Sequence, residues 1–324
     1  MLLGFDIGGT KSAVLLGKQE PDIIKILDKV AVPTDLPVYE MIAKLFEIAA
    51  ELIEKNGITK GELQGIGISC GGPLSSKKGL ILSPPNLIGW DRVPIVQIAK
   101  EHFGKPVLLQ NDANACAVAE WKYGAGRGYN NLIFLTFGTG MGAGLILNGQ
   151  LYSGISDLAG EVGHIRLADI GPVGFGKAGS LEGFCSGGGI AQIAQIKALE
   201  KFQAGLNVSY CKSVEDLPFI SAKSVAVAAF YGDELAKEVY RICGEYLGKA
   251  LALFIDILNP EMIILGSIFG RAKDLLEADM MDVIRKEAYF ESVDACKIVP
   301  AGLGENVGDI AALSLAVLSK QEAI

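Results

Sequence analysis

Apolar and polar positions along this chain fall into two alternating periods. Residues 2–7 (Leu-Leu-Gly-Phe-Asp-Ile) are a short apolar run, which predicts a buried strand. Gly8-Gly9-Thr10 turns it, residues 12–16 return as a second strand, and residues 22–32 form a third. Met41, Ile42, Leu45, Phe46, Ala49, Leu52 and Ile53 then recur at helical spacing, predicting a helix over 38–55 that Asn56-Gly57 stops. A strand over 63–70 runs into Gly71-Gly72-Pro73, followed by a short helix over 94–103, a strand over 106–110 and a helix over 112–123.

The pattern then restarts. Residues 131–137 are an apolar strand, Gly138-Thr139-Gly140 turns it, 142–147 return, and Asn148-Gly149 is a hairpin signal. Residues 161–167 are read as a third strand, before a glycine-rich loop and a helix from about Gly189. A long helix over 234–258 ends at Asn259-Pro260, and a buried strand over 262–265 enters Gly266. A helix, a strand near 297–300 and a last helix over 308–318 complete the chain. The order strand, glycine turn, strand, strand, helix thus occurs twice, about 130 residues apart. Such duplication predicts two similar α/β domains flanking a cleft, a natural place for a ligand. The division expected is 1–115 with a returning segment at 306–324, and 116–305.

Composition narrows the function. Half of the 324 residues are apolar and 20% are charged, so the chain can build large cores. The net charge of −8 and the lack of Lys/Arg runs argue against a nucleic-acid partner. Six scattered cysteines without a CxxC pair fit reduced thiols in a cytoplasmic protein. No signal peptide is expected, because Asp6 interrupts the first apolar run. Residues between Arg127 and Asp157 carry no charge, yet their asparagines and glycines suit buried strands and turns rather than a membrane helix. Of 41 glycines, 19 lie between Gly124 and Gly189, where close backbone approach to a ligand is the expected use.

The candidate chemistry has bland alternatives at each point. Asp6-Ile7-Gly8-Gly9-Thr10-Lys11 fails the Walker order, and β-forming residues follow it. It is either an ordinary hairpin turn or a hairpin whose amides cradle a phosphate, with Asp6 holding Mg²⁺ through water and Thr10 or Lys11 meeting phosphate oxygens. Gly138-Thr139-Gly140-Met141-Gly142 also leads into a strand, so it is no dinucleotide fingerprint. Two such turns at matching places favour a phosphate clamp. Asn111-Asp112 is either a helix cap or a strand-end carboxylate acting as general base. Glu161-Val162-Gly163-His164 sets two polar side chains in an apolar stretch, Glu182 lies in a glycine loop, and Leu265-Gly266-Ser267 is a strand-to-helix turn.

Together these residues resemble the ROK family of repressors, open reading frames and sugar kinases over essentially the whole chain. The likeness is carried by Asp6 to Lys11, Pro85-Asn86-Leu87 with Trp90, Asn111-Asp112-Ala113-Asn114-Ala115, Glu161 to His164, Asn259-Pro260 before Leu265-Gly266, and the closing Gly308 helix. The resemblance implies an actin-like ATPase (ribonuclease H-like) fold, ATP and Mg²⁺ as cofactors, a hexose substrate and a homodimer. It implies Asp112 as catalytic base. Gly72, Asn86, Asn111, Glu161, His164 and Glu182 would line the sugar pocket. Asp6, Gly8, Gly9, Thr10, Lys11, Gly138, Thr139 and Gly140 would serve the phosphates, and Gly266 and Ser267 the adenosine.

One stretch departs from the family. The usual Cys-x-Cys-Gly-x-x-Gly-Cys-x-Glu, which binds a structural zinc with the histidine, is here Val173-Gly174-Phe175-Gly176-Lys177-Ala178-Gly179-Ser180-Leu181-Glu182. Val173, Phe175 and Ser180 replace the thiols, so no structural zinc is expected, and an apolar plug of Val173 and Phe175 is expected instead. The expected function is a glucokinase-like, 6-hydroxyl hexose kinase. The alternatives are an N-acetylhexosamine or other hexose kinase, and a sugar-sensing ROK regulator without a DNA-binding domain.

Overall fold

The computed structural model describes residues 1–59 and 61–320. In chain order the first elements are β1 (Leu2–Ile7), β2 (Lys11–Gln19), β3 (Ile24–Pro33), α1 (Val38–Lys55), β4 (Gly65–Cys70), β5 (Leu74–Ser75), β6 (Leu80–Ile81), α2 (Ile95–Phe103), β7 (Val107–Asn111) and α3 (Asp112–Tyr123). Next come β8 (Leu132–Phe137), β9 (Met141–Leu147), β10 (Gln150–Tyr152), β11 (Val173–Gly174), β12 (Lys177–Ala178), α4 (Leu181–Phe184), α5 (Gly187–Gln203), α6 (Ala222–Phe230) and α7 (Glu234–Leu258). The chain closes with β13 (Met262–Leu265), α8 (Ile268–Glu287), α9 (Phe290–Ala295), β14 (Lys297–Pro300) and α10 (Val307–Ser319). None of the described helices is long and apolar enough to cross a membrane.

Two compact units result. The first holds Met1–Asn130, Gly144–Ala159 and the described residues from Gly302 on, and the second holds Asn131–Ala143 and Gly160–Ala301. The sequence reading divides the chain at 115/116, which falls inside α3. That helix is continuous and packs against α10, so the structural division comes after it, at Asn130. Residues 321–324, included in the returning segment, lie outside the described residues.

The first sheet has the order β3–β2–β1–β4–β7. β1 and β2 are an antiparallel hairpin, whereas β1, β4 and β7 run parallel. All six residues of β4 are buried, as expected of a central parallel strand covered on both faces. α1 buries Met41, Leu45, Phe46, Ala49 and Leu52 on one side. α10, apolar nearly all round, packs against β1, β4 and α3. Its approach is close: a Cβ on Gly67 would lie 2.0 Å from the Ala312 carbonyl oxygen. In register, Asp6 pairs with Ser69, and Cys70 with Asn111. The chain therefore delivers Asp6, Gly71-Gly72 and Asp112 to the carboxyl ends of three adjacent parallel strands, where open α/β sheets bind ligands.

The second sheet has the order β10–β9–β8–β13–β14. β8, β13 and β14 run parallel, with Leu135 opposite Leu265 and Leu265 opposite Pro300. The turns at 138–140 and 266–267 thus follow the carboxyl ends of β8 and β13. The third strand expected over 161–167 does not form. Residues 162–164 make a single 3-10 turn, and the third strand is β10, reached through the Asn148-Gly149 hairpin. Burial does alternate from Gly163 to Leu167, but Gly163 is pressed against the Met141 carbonyl and the stretch makes only one isolated bridge, Arg166 to Ser180, in place of a ladder.

Candidate functional site

Within the first unit a cavity of about 250 Å³ is lined by Asp6, Ile7, Gly8, Gly9, Gly71, Gly72, Pro84, Asn86, Leu87 and Asp112. Six of the residues singled out from the sequence share it: Asp6, Gly8, Gly9, Gly72, Asn86 and Asp112. Ile7, Gly71, Pro84 and Leu87 complete the lining; Ile7, Gly71 and Leu87 each adjoin a candidate residue, and Pro84 carries no chemical signal. The hairpin and the 84–87 loop meet without a gap. A Cβ on Gly9 would lie 2.4 Å from the Asn86 carbonyl oxygen, so only glycine lets Asn86 sit against the turn.

At the β7–α3 junction Asn111 takes the capping role. Asn111 Oδ1 accepts the backbone N–H of Ala113 at 2.9 Å and of Asn114 at 3.4 Å, capping α3. Its Nδ2 lies 3.2 Å from where a Cβ on Gly72 would be, so the amide keeps its donor end toward the cavity-lining loop. Asp112 is exposed, and its Oδ1 accepts the adjacent Ala113 N–H at 2.8 Å. Thr10 and Lys11 are exposed at the hairpin and do not line the cavity.

Asp6 sits in an unfavourable place for a charge. Burial, then the carboxylates of Asp112 and Asp309, push its carboxyl up from 3.8 to about 6, against smaller pulls from Lys29 and Ser69. Lys29 is held by Asp309, with both carboxylate oxygens 2.6–2.7 Å from its Nζ. Because the native carboxyl binds its proton more tightly than the unfolded one, the ionised form costs stability above about pH 6, and the cost vanishes below about pH 4. Asp6→Asn is therefore expected to stabilise the fold by about 1–3 kcal/mol at pH 7.5 and by nearly nothing at pH 4. Urea denaturation at the two pH values checks this; equal effects at both would show that Asp6 carries no such strain.

The second unit gathers the remaining candidates. The Gly138 N–H donates to the Gly140 carbonyl at 3.2 Å, and Gly187 at the start of α5 donates to the Gly138 carbonyl at 2.8 Å. A Cβ on Gly138 would lie 3.9 Å from Ser267 Oγ, so the two strand-end turns adjoin. Glu182, in α4, is no free loop carboxylate: its Oε2 accepts the Met141 N–H at 3.0 Å. His164 is exposed, with the Phe175 ring edge-on at 5.3 Å between centroids, while Glu161 is exposed on the same turn.

The former zinc stretch does not fit a zinc ion. Val173, Phe175 and Ser180 offer no thiolate or imidazole, and among the described residues no three His, Cys, Asp or Glu side chains are grouped to hold a metal. The expected apolar plug is not formed either. Val173 is 48% and Phe175 66% exposed, because both lie on the short β11–β12 hairpin at the surface. Hydrogen bonds do the work instead. Ser180 Oγ donates to the Lys177 carbonyl at 3.0 Å and accepts the Gly183 N–H at 3.1 Å, and Lys177 Nζ donates to the His164 carbonyl at 2.6 Å.

Two α/β units, each built on a five-stranded sheet with parallel central strands, define an actin-like ATPase fold. The chain belongs to the ROK family, whose model matches residues 2–318. It is 33% identical over 316 residues to a glucokinase of Halalkalibacterium halodurans, covering 95% of this chain and 92% of that one. It is also 30% identical to a xylose repressor of Caldicellulosiruptor bescii, over 80% of this chain and 64% of the other. A solved ROK glucokinase from Streptomyces griseus, in complex with glucose and AMPPNP, superposes with a TM-score of 0.77 at 28% identity, covering 98% of this chain and 99% of that one.

Proposed function

We propose that this protein is an ATP-dependent hexose kinase, glucokinase-like, that phosphorylates a 6-hydroxyl. The observation that carries the reading is the placement of Asp112 at the end of β7, in one cavity with Asp6, Gly72 and Asn86. Likeness to a glucokinase along nearly the whole chain supports it. In this reading Asp112 takes the proton of the sugar hydroxyl as its oxygen attacks the γ-phosphorus, and ADP leaves with the bridging oxygen's electron pair. Asn86, Asn111, Glu161, His164 and Glu182 hydrogen-bond the other hydroxyls, whose fixed directions suit amides and carboxylates. Gly8 to Lys11 and Gly138 to Gly140 hold the phosphates, the latter beside the amino end of α5, and Gly266-Ser267 holds the adenosine.

Asp6 is the carboxylate placed to hold Mg²⁺ through water. The ion, when bound, neutralises phosphate charge, which also offsets the cost of ionising Asp6. A cytoplasmic homodimer is part of the proposal, the location on the scattered cysteines and the dimer on the resemblance. ADP release with ATP, Mg²⁺ and a panel of hexoses and N-acetylhexosamines tests the reading, with glucose expected to give the highest kcat/KM. Turnover confined to an N-acetylhexosamine would move the substrate. Saturable sugar binding with no turnover on any sugar would favour a sugar-sensing regulator, the reading that likeness to a repressor keeps open.

A further inference from the structure

Gln192 of α5 hydrogen-bonds the segment between His164 and Glu182. Gln192 Oε1 accepts the Val173 N–H at 2.9 Å, and Gln192 Nε2 donates to the Val173 carbonyl at 2.9 Å. The side-chain amide therefore pairs with one residue in both directions, as a neighbouring strand would. Val173–Gly174 pairs in turn with Lys177–Ala178. Gly174 lies directly against α4: a Cβ there would be 2.5 Å from the Gly183 nitrogen and 2.8 Å from Glu182 Cβ. Glu182 closes the series by accepting the Met141 N–H, next to the turn at 138–140.

We infer that Gln192 is a positioning residue: through the Val173 hairpin it fixes the Glu182 carboxylate, in a clasp that needs no metal. Three contacts, Gln192 to Val173, Gly174 to Glu182 and Glu182 to Met141, connect Gln192 to Met141, and none involves a metal-binding donor set. One oxygen of Glu182 is committed to the Met141 amide, which leaves the other to meet a sugar hydroxyl. This rests on the kinase reading, in which Glu182 touches the sugar. Releasing the hairpin lets α4 shift, and a carboxylate displaced by a fraction of an ångström loses its hydrogen bond to the substrate.

The test uses the full chain with Gln192→Met, which keeps the length of the side chain and removes both hydrogen bonds to Val173, together with a longer one from Nε2 to the Gly188 carbonyl at 3.4 Å. Gln192→Glu serves as a second variant, which keeps the acceptor for the Val173 N–H. Amide hydrogen exchange of the peptides covering Met141 and Val173 is expected to quicken roughly tenfold in Gln192→Met and less in Gln192→Glu. The sugar KM is expected to rise roughly tenfold with kcat within about threefold. A merely structural loss would lower the active fraction and hence kcat, and leave KM alone. Should Gln192→Met fail to fold, Gln192→Glu carries the same comparison. Unchanged exchange at Met141 in the folded variants overturns the inference, as does one zinc per chain in the purified protein whose removal quickens exchange there. If the wild-type protein turns over no sugar, the kinase reading falls, and the exchange comparison still decides the clasp.

Discussion

Asp112→Asn is expected to lower kcat by about 10²–10⁴-fold while leaving sugar binding within about threefold, the scale of a lost general base. The substitution is well placed to isolate chemistry from folding. Asp112 is exposed, and the bond that its carboxylate accepts from the Ala113 N–H can be accepted equally by an amide oxygen. Asn111, not Asp112, caps α3, so the helix start is retained. Steady-state rates with ATP and the preferred hexose, alongside a direct sugar-binding isotherm, separate the two quantities. A variant that keeps its full turnover would remove Asp112 as the base and leave it as a helix-start residue.

Glu120→Ala should destabilise the first unit by about 2–4 kcal/mol, from lost hydrogen bonds and the space left empty. Glu120 is fully buried near the end of α3, where the helix dipole disfavours a carboxylate. Its oxygens are nonetheless saturated by backbone. Oε2 accepts Ala125 N–H at 2.8 Å and Gly302 N–H at 3.0 Å, and Oε1 accepts Leu303 N–H at 2.8 Å. Removal takes the acceptor from three backbone donors at once, on partly or fully exposed residues, and empties the buried space that the side chain filled. Chemical denaturation gives the difference; a loss below 1 kcal/mol would mean that water replaces the carboxylate at little cost.

The legible parts of this protein are those with local causes. Leu2–Ile7 followed by Gly8-Gly9, and 131–137 followed by Gly138, announce hairpins because an apolar run and a turn signal adjoin. Asn111-Asp112 announces a helix start by residue type alone. The misreading over 161–167 has a local cause too: Val162, Ile165 and Leu167 suggested a strand, but Gly160 and Gly163 each lie against the backbone of the 141–143 stretch, which no pattern reports. Glu120 and Gln192 gave no signal, since a polar residue within a helix is ordinarily solvated and their partners lie far along the chain. Val173 and Phe175 misled in the opposite direction, as apolar residues that stay at the surface.

The helix α10 sets a timetable. The sheet it covers is encoded within the first 111 residues, yet its cover is residues 307–319. During synthesis, about 240 residues separate the emergence of β4 from that of α10, roughly 10–50 s at ordinary elongation rates. Through that interval the second unit, nearly all of it one uninterrupted stretch, has been fully emitted, while the glycine-floored face of β1 and β4 stays uncovered. The first unit is thus begun earliest and finished last: all five strands of its sheet precede residue 112, and one face waits for its cover.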